Sequence, residues 1–319
     1  MVEPIQKPAQ GEPGWRQELA ALWESLPHKP LFFGLLGAWC VLFHFLGNAT
    51  LGYVETRSLF GWMNNAYNVK LSEDQHGNLI PFVVLGLLWW KRRQLTLVEK
   101  GIWWPALAGL AAGAAIHLAG YVAQQPRISI AGFFLGVYAL TGLAWGPAWL
   151  RASAFPFFLF VFAIPVGSLA ERITFPMRLA STWMATQISQ AGLGIDVIRD
   201  GTRIFDPQGL YQYDVAPACS GIRSLISLVA LGTIYAFVSF RTFWKRVVAM
   251  LLAFPLALAG NVVRLLGVIL TAEAVGQEAG MKVHDYAGFV TFLLALGVLM
   301  LVGYWMGEEK VLEEREAAA

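Results

Sequence analysis

The sequence predicts an all-α polytopic membrane protein with about eight transmembrane helices, plus an interfacial helix and a small β-hairpin before the sixth span. Hydrophobic residues make up 57% of the chain and charged residues 14%, and the mean hydropathy is +0.55; all three are far from soluble-protein averages. Apolar stretches of about 20 residues recur, each long enough to cross about 30 Å of hydrocarbon. A net charge of +2, without a basic patch carrying interleaved aromatics, argues against a nucleic-acid partner.

Three regions are expected along the chain: a polar N-terminal tail over 1–29, a membrane domain over 30–306 and a short acidic tail over 307–319. The N-terminal tail lacks the apolar core of a cleavable signal peptide, so the first span is expected to act as an uncleaved anchor. Pro255 is expected to break the seventh span, because proline removes a backbone donor. The predicted spans are Pro30–Leu46, Leu79–Trp90, Ile102–Val122, Ile128–Trp145, Phe155–Ala170, Ile222–Phe240, Val247–Ala272 and Tyr286–Met306.

The long connection between the fifth and sixth spans carries the two non-spanning elements. Phe175–Ala191 has Pro176 near its start and mixes apolar with polar residues, a pattern typical of a helix lying in the membrane interface. The stretch Ile195–Phe205 places Asp200-Gly201 between β-branched residues, which is a strong short-range signal for a hairpin.

Positive charges in the short loops predict the orientation. With the N-terminus inside, the clear basic clusters all fall on the inner side, in segments 91–100, 146–153 and 241–246. The outer segments are then 47–78, 123–127, 171–221 and 273–285. Both tails are therefore expected to be cytoplasmic.

One of the two cysteines lies where a polar loop enters an apolar helix. Cys219 has Pro217 and Gly221 as turn-forming neighbours, and Ser220 is a natural N-cap for the sixth span. A thiol beside a helix N-terminus and a cation favours the thiolate and becomes nucleophilic, although a lone membrane cysteine is often an apolar filler. Cys40, among tryptophan and aliphatic neighbours, is expected to be such a filler.

Two further polar residues reach the depth of Cys219 in this topology. Arg264 lies about 27 Å above the start of the seventh span at 1.5 Å per residue, and His284 begins the eighth span on the outer side. An arginine within a span indicates a functional site by default, and Asn261, one turn earlier on the same face, could orient it. The alternatives to a functional role are that Arg264 snorkels to the lipid headgroups and that His284 is an interfacial cap residue.

Other kinds of site are less well supported. The chain has neither a Cys-x-x-Cys pair nor a His-Glu-x-x-His helix, so no metal site and no cofactor are expected. Ser220-Gly221 superficially resembles the nucleophile turn of a serine hydrolase, but Cys219 explains the local cation better. A transporter, with Arg264 and Asn261 lining an anion pathway, would favour inverted repeats, and no convincing repeat is found.

These residues resemble the three signature motifs of the exosortase/archaeosortase family. The intervals of 45 residues from Cys219 to Arg264 and 20 from Arg264 to His284 fit that family, as does the order. His76-Gly77, followed by a basic cluster, is similar to the family's N-terminal pattern. The motifs are Ala218-Cys219-Ser220-Gly221-Ile222-Arg223-Ser224, Asn261-Val262-Val263-Arg264 and His284-Asp285-Tyr286-Ala287-Gly288.

The resemblance implies a cysteine transpeptidase or protease of the bacterial inner membrane, with its active site and interfacial helix facing the periplasm. Its expected partners are exported proteins with a C-terminal sorting signal of the PEP-CTERM kind, and a lipid or exopolysaccharide acceptor. The resemblance makes Cys219 the nucleophile, Arg264 the transition-state stabiliser and His284 the acid/base. Residues expected to bind substrate or support this triad are Asp214, Ser220, Arg223, Asn261, Asp285 and His76. Arg223 is the alternative to Arg264 as the catalytic arginine beside Cys219. The alternative function is a transporter or an exopolysaccharide-assembly protein without peptidase activity.

Overall fold

The computed structural model describes residues 14–50, 53–69, 72–166, 168–214 and 222–307 of the 319-residue chain. Contacts divide the chain into two compact units. Unit 1 comprises Met1–Asn65 and Leu79–Ile164, and unit 2 comprises Ala66–Asn78 and Pro165–Ala319.

Within the described residues the secondary structure is mostly helical, with one small sheet. The α-helices are α1 Trp15–Ser25, α2 Lys29–Leu46, α3 Leu59–Asn68, α4 Ile80–Trp90, α5 Arg92–Leu97, α6 Ala106–Val122, α7 Pro126–Phe158, α8 Ser168–Leu193, α9 Ile222–Ser239, α10 Phe243–Val275 and α11 Gln277–Trp305. Short 3-10 helices cover Gln75–Asn78 and Leu159–Ala163. The strands are β1 Ile198–Asp200, β2 Arg203–Phe205 and β3 Gln212–Asp214.

Unit 1 is built around close packing of α2 and α6 against α7. The backbones of α6 and α7 approach so closely that a Cβ added at Gly132 would lie 2.6 Å from the Gly113 carbonyl oxygen. Small residues permit such approach between membrane helices. Beside them α2 contributes Trp39, whose indole nitrogen donates to the Phe133 carbonyl at 3.1 Å, and Phe43, which is fully buried.

The fourth predicted span ends at a sharp reversal inside α7. Gly146 has φ +88°, a conformation that glycine adopts readily, and Pro147 follows. The Tyr138 hydroxyl donates to the Leu150 carbonyl at 2.8 Å, a contact that twelve residues of straight helix, about 18 Å long, would forbid. The predicted turn around Arg151 is therefore wrong, since Arg151 already lies in the returning arm.

Helix α1 lies within the region predicted to be a polar tail, and ion pairs connect it to α5. Glu18 accepts from Arg92 at 2.7 Å and from Arg93 at 3.4 Å. The Arg92 guanidinium lowers the pKa of the Glu18 carboxyl.

Unit 2 has α10 at its centre, in contact with α8, α9 and α11. Its 33 residues run unbroken through Pro255, so the predicted interruption is wrong; neighbouring helices commonly stabilise a proline within a membrane helix. Helix α11 begins at Gln277, nine residues before the predicted eighth span. Most of the predicted loop 273–285 is therefore helical. The prediction failed because a polar composition shows where hydropathy falls, and a helix can continue beyond that point.

The predicted interfacial helix differs from expectation in extent and in its buried face. Helix α8 starts at Ser168, passes through Pro176, and occupies residues assigned to the end of the fifth span. Four of its large apolar residues are exposed, namely Phe175, Trp183, Ile188 and Leu193, whereas its buried face is mainly polar: Thr174, Arg178, Ser181, Thr182, Thr186 and Ser189. Serine and threonine at helix contacts are typical of packing in membranes. Several of these hydroxyls donate to carbonyls of their own helix, as Ser181 does to Met177 at 2.6 Å.

The predicted hairpin is confirmed, and a third strand extends it. Strand β1 pairs antiparallel with β2, with Asp200 opposite Arg203 and Gly201 at φ +61°. Strand β2 pairs with β3, which ends at Asp214. The sheet packs on α10 through Tyr211 and Tyr213, which contact Val268 and Ala272.

The multi-pass membrane character is confirmed, whereas the number of spans stays a prediction. Among the described residues, four segments are long and apolar enough to cross a membrane: Lys29–Leu46, Pro126–Ala163, Phe243–Val275 and Tyr286–Trp305. Shorter apolar helices cover Ile80–Trp90, Ala106–Val122 and Ser224–Ser239. At 1.5 Å per residue, 11-residue α4 is only about 16 Å long, about half the hydrocarbon thickness.

Candidate active site

Helices α10 and α11 form an antiparallel pair that brings Arg264 to His284. The chain turns between them at Gly276, which has φ +104°. Arg264 lies 12 residues before this turn and His284 lies 8 residues after it, so their backbones differ in height by about 6 Å, a distance that the long arginine side chain spans. Both side chains are half-buried.

The Arg264 guanidinium contacts α11 at several points. Its Nε and Nη2 donate to the His284 carbonyl oxygen at 3.1 and 2.9 Å. Its Nη2 also lies 3.1 Å from Nε2 of the His284 ring and 3.4 Å from Nδ1. Nη2 thus lies within 3.4 Å of both ring nitrogens, so it contacts the imidazole ring as a whole. A neutral imidazole has one accepting nitrogen, with which it can act as a base.

A glycine makes room for this contact. A Cβ added at Gly288, one turn beyond His284, would lie 3.4 Å from Cζ of Arg264. The guanidinium thus lies directly over the α11 backbone, where a larger side chain would displace it.

Asn261 lies one turn before Arg264 and contacts α8. Its Nδ2 donates to Ser181 Oγ at 2.9 Å, and both residues are buried. Asn261 and Arg264 also line a small cleft between α9, α10 and α11. The other lining residues are Ser224, Leu228, Leu256, Ala257, Gly260, Thr291, Phe292 and Ala295.

Cys219 and Ser220 lie outside the described residues, as do the side chains of Arg223 and Asp285. The described chain on both sides of Cys219 nevertheless belongs to this region. On one side, Ser224 lines the same cleft as Arg264. On the other side, the Tyr213 hydroxyl donates to the Gln277 carbonyl at 2.8 Å, at the start of α11. Burial raises the pKa of Tyr213, which keeps this phenol a donor at neutral pH.

Asp214 and His76 have surroundings of their own. The Asp214 carboxylate accepts from Thr202 at 3.1 Å and lies 3.5 Å from Nε of Arg203, so its described contacts stabilise the sheet. His76 lies half-buried in the 3-10 helix Gln75–Asn78.

The segment that carries His76 is fixed to the chain just before α8. Asp74 accepts from the Val166 backbone N–H at 2.8 Å. A Cβ at Gly77 would collide with the Tyr67 ring. Burial, with a further effect of Asp74, raises the pKa of Tyr67, so this phenol stays neutral well above neutral pH.

No three His, Cys, Asp or Glu side chains converge as a metal site would require within the part of the chain that the structure describes. Sequence reasoning missed Ser181 and Tyr213. The signal for Ser181 was the repeat of small hydroxyl residues along one face of 174–189, at helical spacing. No comparable signal marks Tyr213, because β3 has only three residues.

Comparison with known proteins gives one match. A family model for transmembrane exosortases matches residues 62–301, which are 240 of the 319 residues. No curated protein and no solved structure matches.

Proposed function

The chain belongs to the transmembrane exosortase family, membrane enzymes that process sorting signals, and on that premise we propose that it is a cysteine transpeptidase with Cys219, Arg264 and His284 as its catalytic residues. Its substrates would be exported proteins with a C-terminal, PEP-CTERM-like sorting signal. The reaction would take place at the periplasmic face of the bacterial inner membrane.

The first half-reaction forms a thioester. The Cys219 thiolate adds to the scissile carbonyl carbon, and Arg264 donates hydrogen bonds to the developing oxyanion. The peptide C–N bond then breaks, and the imidazolium of His284, having taken the thiol proton, gives it to the departing amine.

The second half-reaction releases the product. His284 takes a proton from an acceptor amine or a water, whose nitrogen or oxygen adds to the thioester carbonyl. The C–S bond breaks and the proton returns to the cysteine sulfur. An amine on a lipid or surface polymer gives transfer, and water gives proteolysis.

The contact between Arg264 and His284 carries this proposal. A guanidinium nitrogen 3.1 Å from a nitrogen of the imidazole ring puts an oxyanion donor and a base side by side. Ser224, five residues after Cys219, lines the cleft that Arg264 also lines, which supports a thiol close to this pair. The family match favours an enzyme over the transporter alternative.

The test is a Cys219→Ala variant in cells that export proteins with candidate sorting signals. Uncleaved substrate is expected to accumulate in the membrane, and mass spectrometry would identify it together with its intact C-terminus. In the wild-type protein, an acyl group on Cys219 should be trapped by rapid acid quenching.

Cys40→Ala is the matched control. Cys40 is half-buried in α2 and packs against the aromatic core of unit 1, so its replacement should leave processing at the wild-type level. Normal processing by Cys219→Ala, with equal membrane insertion of both variants, would refute the thiol mechanism.

A further inference from the structure

The Asn261 carboxamide has a defined orientation. Ser181 Oγ donates its single hydrogen to the Met177 carbonyl at 2.6 Å, so it can only accept from Asn261. The amide nitrogen of Asn261 must therefore face Ser181, at 2.9 Å. Its oxygen, Oδ1, therefore does not have Ser181 as a partner.

Oδ1 of Asn261 is a buried acceptor in need of a donor. Asn261 is 5% exposed, and Oδ1 has no hydrogen-bond partner among the residues that the structure describes. A buried polar atom left unsatisfied is costly, and such atoms commonly bind ordered water.

The cleft beside Asn261 matches one water in size and in chemistry. Its volume is about 10 Å³, near the lower limit for one water of roughly 10–15 Å³ and too small for a peptide. A buried water needs two to four polar partners. The cleft offers three: the Asn261 acceptor, the Arg264 guanidinium as donor and the Ser224 hydroxyl as either.

We propose that this cleft binds one water molecule, which donates to Oδ1 of Asn261 and accepts from Arg264, so that Ser181 and Asn261 position the arginine. The positioning claim rests on the proposed function, whereas the water site does not. Asn261 is a positioning residue here, because it acts through the water and Arg264. Ser181 acts one step further away, by fixing the amide.

Structures of the whole chain in detergent micelles, at about 2 Å resolution, test the site without substrate. One ordered water is expected within hydrogen-bond distance of Oδ1 of Asn261. In Asn261→Leu, which has a similar volume and no acceptor, the water should be lost and Arg264 should leave the His284 carbonyl. A dry wild-type cleft refutes the water site, and an unmoved Arg264 in Asn261→Leu refutes the positioning role.

Kinetics test the relay, with the substrate that accumulates in Cys219→Ala cells as the probe. Asn261→Leu should lower kcat about tenfold with KM within twofold, and Ser181→Ala should lower kcat by a smaller factor. The double variant should be no slower than Asn261→Leu, because residues that act in series are not additive. If the loss of kcat in the double variant equals the product of the two single losses, Ser181 acts only on packing.

Ser189→Ala is the matched control. Ser189 lies on the same buried face of α8 and is also fully buried, but it lies two turns beyond Ser181, and its Oγ has no hydrogen-bond partner among the described residues. Its replacement should leave kcat unchanged. A loss equal to that of Ser181→Ala would attribute both effects to a destabilised α8 and overturn the relay.

Discussion

Replacing Arg264 by lysine keeps the positive charge but removes the planar fork of donors. In the structure, that fork makes two hydrogen bonds to the His284 carbonyl, at 3.1 and 2.9 Å, and a third contact to the imidazole. A lysine ammonium is a point charge that cannot reproduce this geometry. At least one charge-assisted hydrogen bond is therefore lost.

The size of the effect follows from that loss. A hydrogen bond to a charged group contributes about 1.5–3 kcal/mol, and about 1.4 kcal/mol corresponds to a tenfold change in rate. The same fork is proposed to donate to the oxyanion, and loss of one such bond in the transition state should lower kcat of Arg264→Lys by about 10- to 150-fold. KM should change little, because the interaction lost is not one made with the bound substrate.

The assay compares initial cleavage rates of Arg264→Lys and wild type in detergent, with the substrate that accumulates in Cys219→Ala cells. Arg246→Lys is the control, because Arg246 lies on the same helix about 27 Å away and donates from Nε to the Phe240 carbonyl. The control should cleave at the wild-type rate. An Arg264→Lys rate within twofold of wild type, with unchanged thermal stability, would refute the role of the fork.

Two further predictions concern close approaches of glycine. Gly288→Ala should be tolerated, since its Cβ would make an ordinary contact of 3.4 Å with Arg264. The extra methyl groups of Gly288→Val should displace the guanidinium and lower the cleavage rate at least fivefold. Equal cleavage rates for the two variants would contradict this prediction. Gly132→Ala should destabilise unit 1 by about 1–3 kcal/mol, because the added carbon meets the Gly113 backbone at 2.6 Å. Thermal melts against Gly86→Ala, whose Cβ enters open space, would measure the difference, and equal midpoints would exclude the close packing.

The main features of unit 2 could be predicted from the sequence where one physical rule decided them. Rise per residue and loop charge put Arg264 and His284 at one depth, and the structure has their side chains in contact. The glycine of Asp200-Gly201 gave the hairpin, because Gly201 accepts the positive φ at the first position of the two-residue turn between Asp200 and Arg203. The catalytic roles of these residues, and of Cys219, stay proposals.

Other features depended on packing that a hydropathy profile does not contain. Pro255 does not break α10, a helix that packs against α8, α9 and α11. The buried face of α8 is mainly polar, which the mixed apolar and polar pattern of Phe175–Ala191 did not indicate. The role of Ser181 became visible only with its partner, Asn261, which is 80 residues away in sequence.

The described chain on either side of Cys219 limits the positions that its thiol can reach. Strand β3 fixes Asp214, and α9 begins at Ile222, three residues after Cys219. Since a chain extends at most about 3.6 Å per residue, the Cα of Cys219 stays within about 11 Å of that of Ile222 in every conformation. If Cys219 is the nucleophile, as proposed, a substrate has to bring its scissile bond to this small volume beside the start of α9. The position of the recognition motif would then be set by its distance from that point. The enzyme's choice of cleavage position would then be a matter of length along the substrate as well as of sequence.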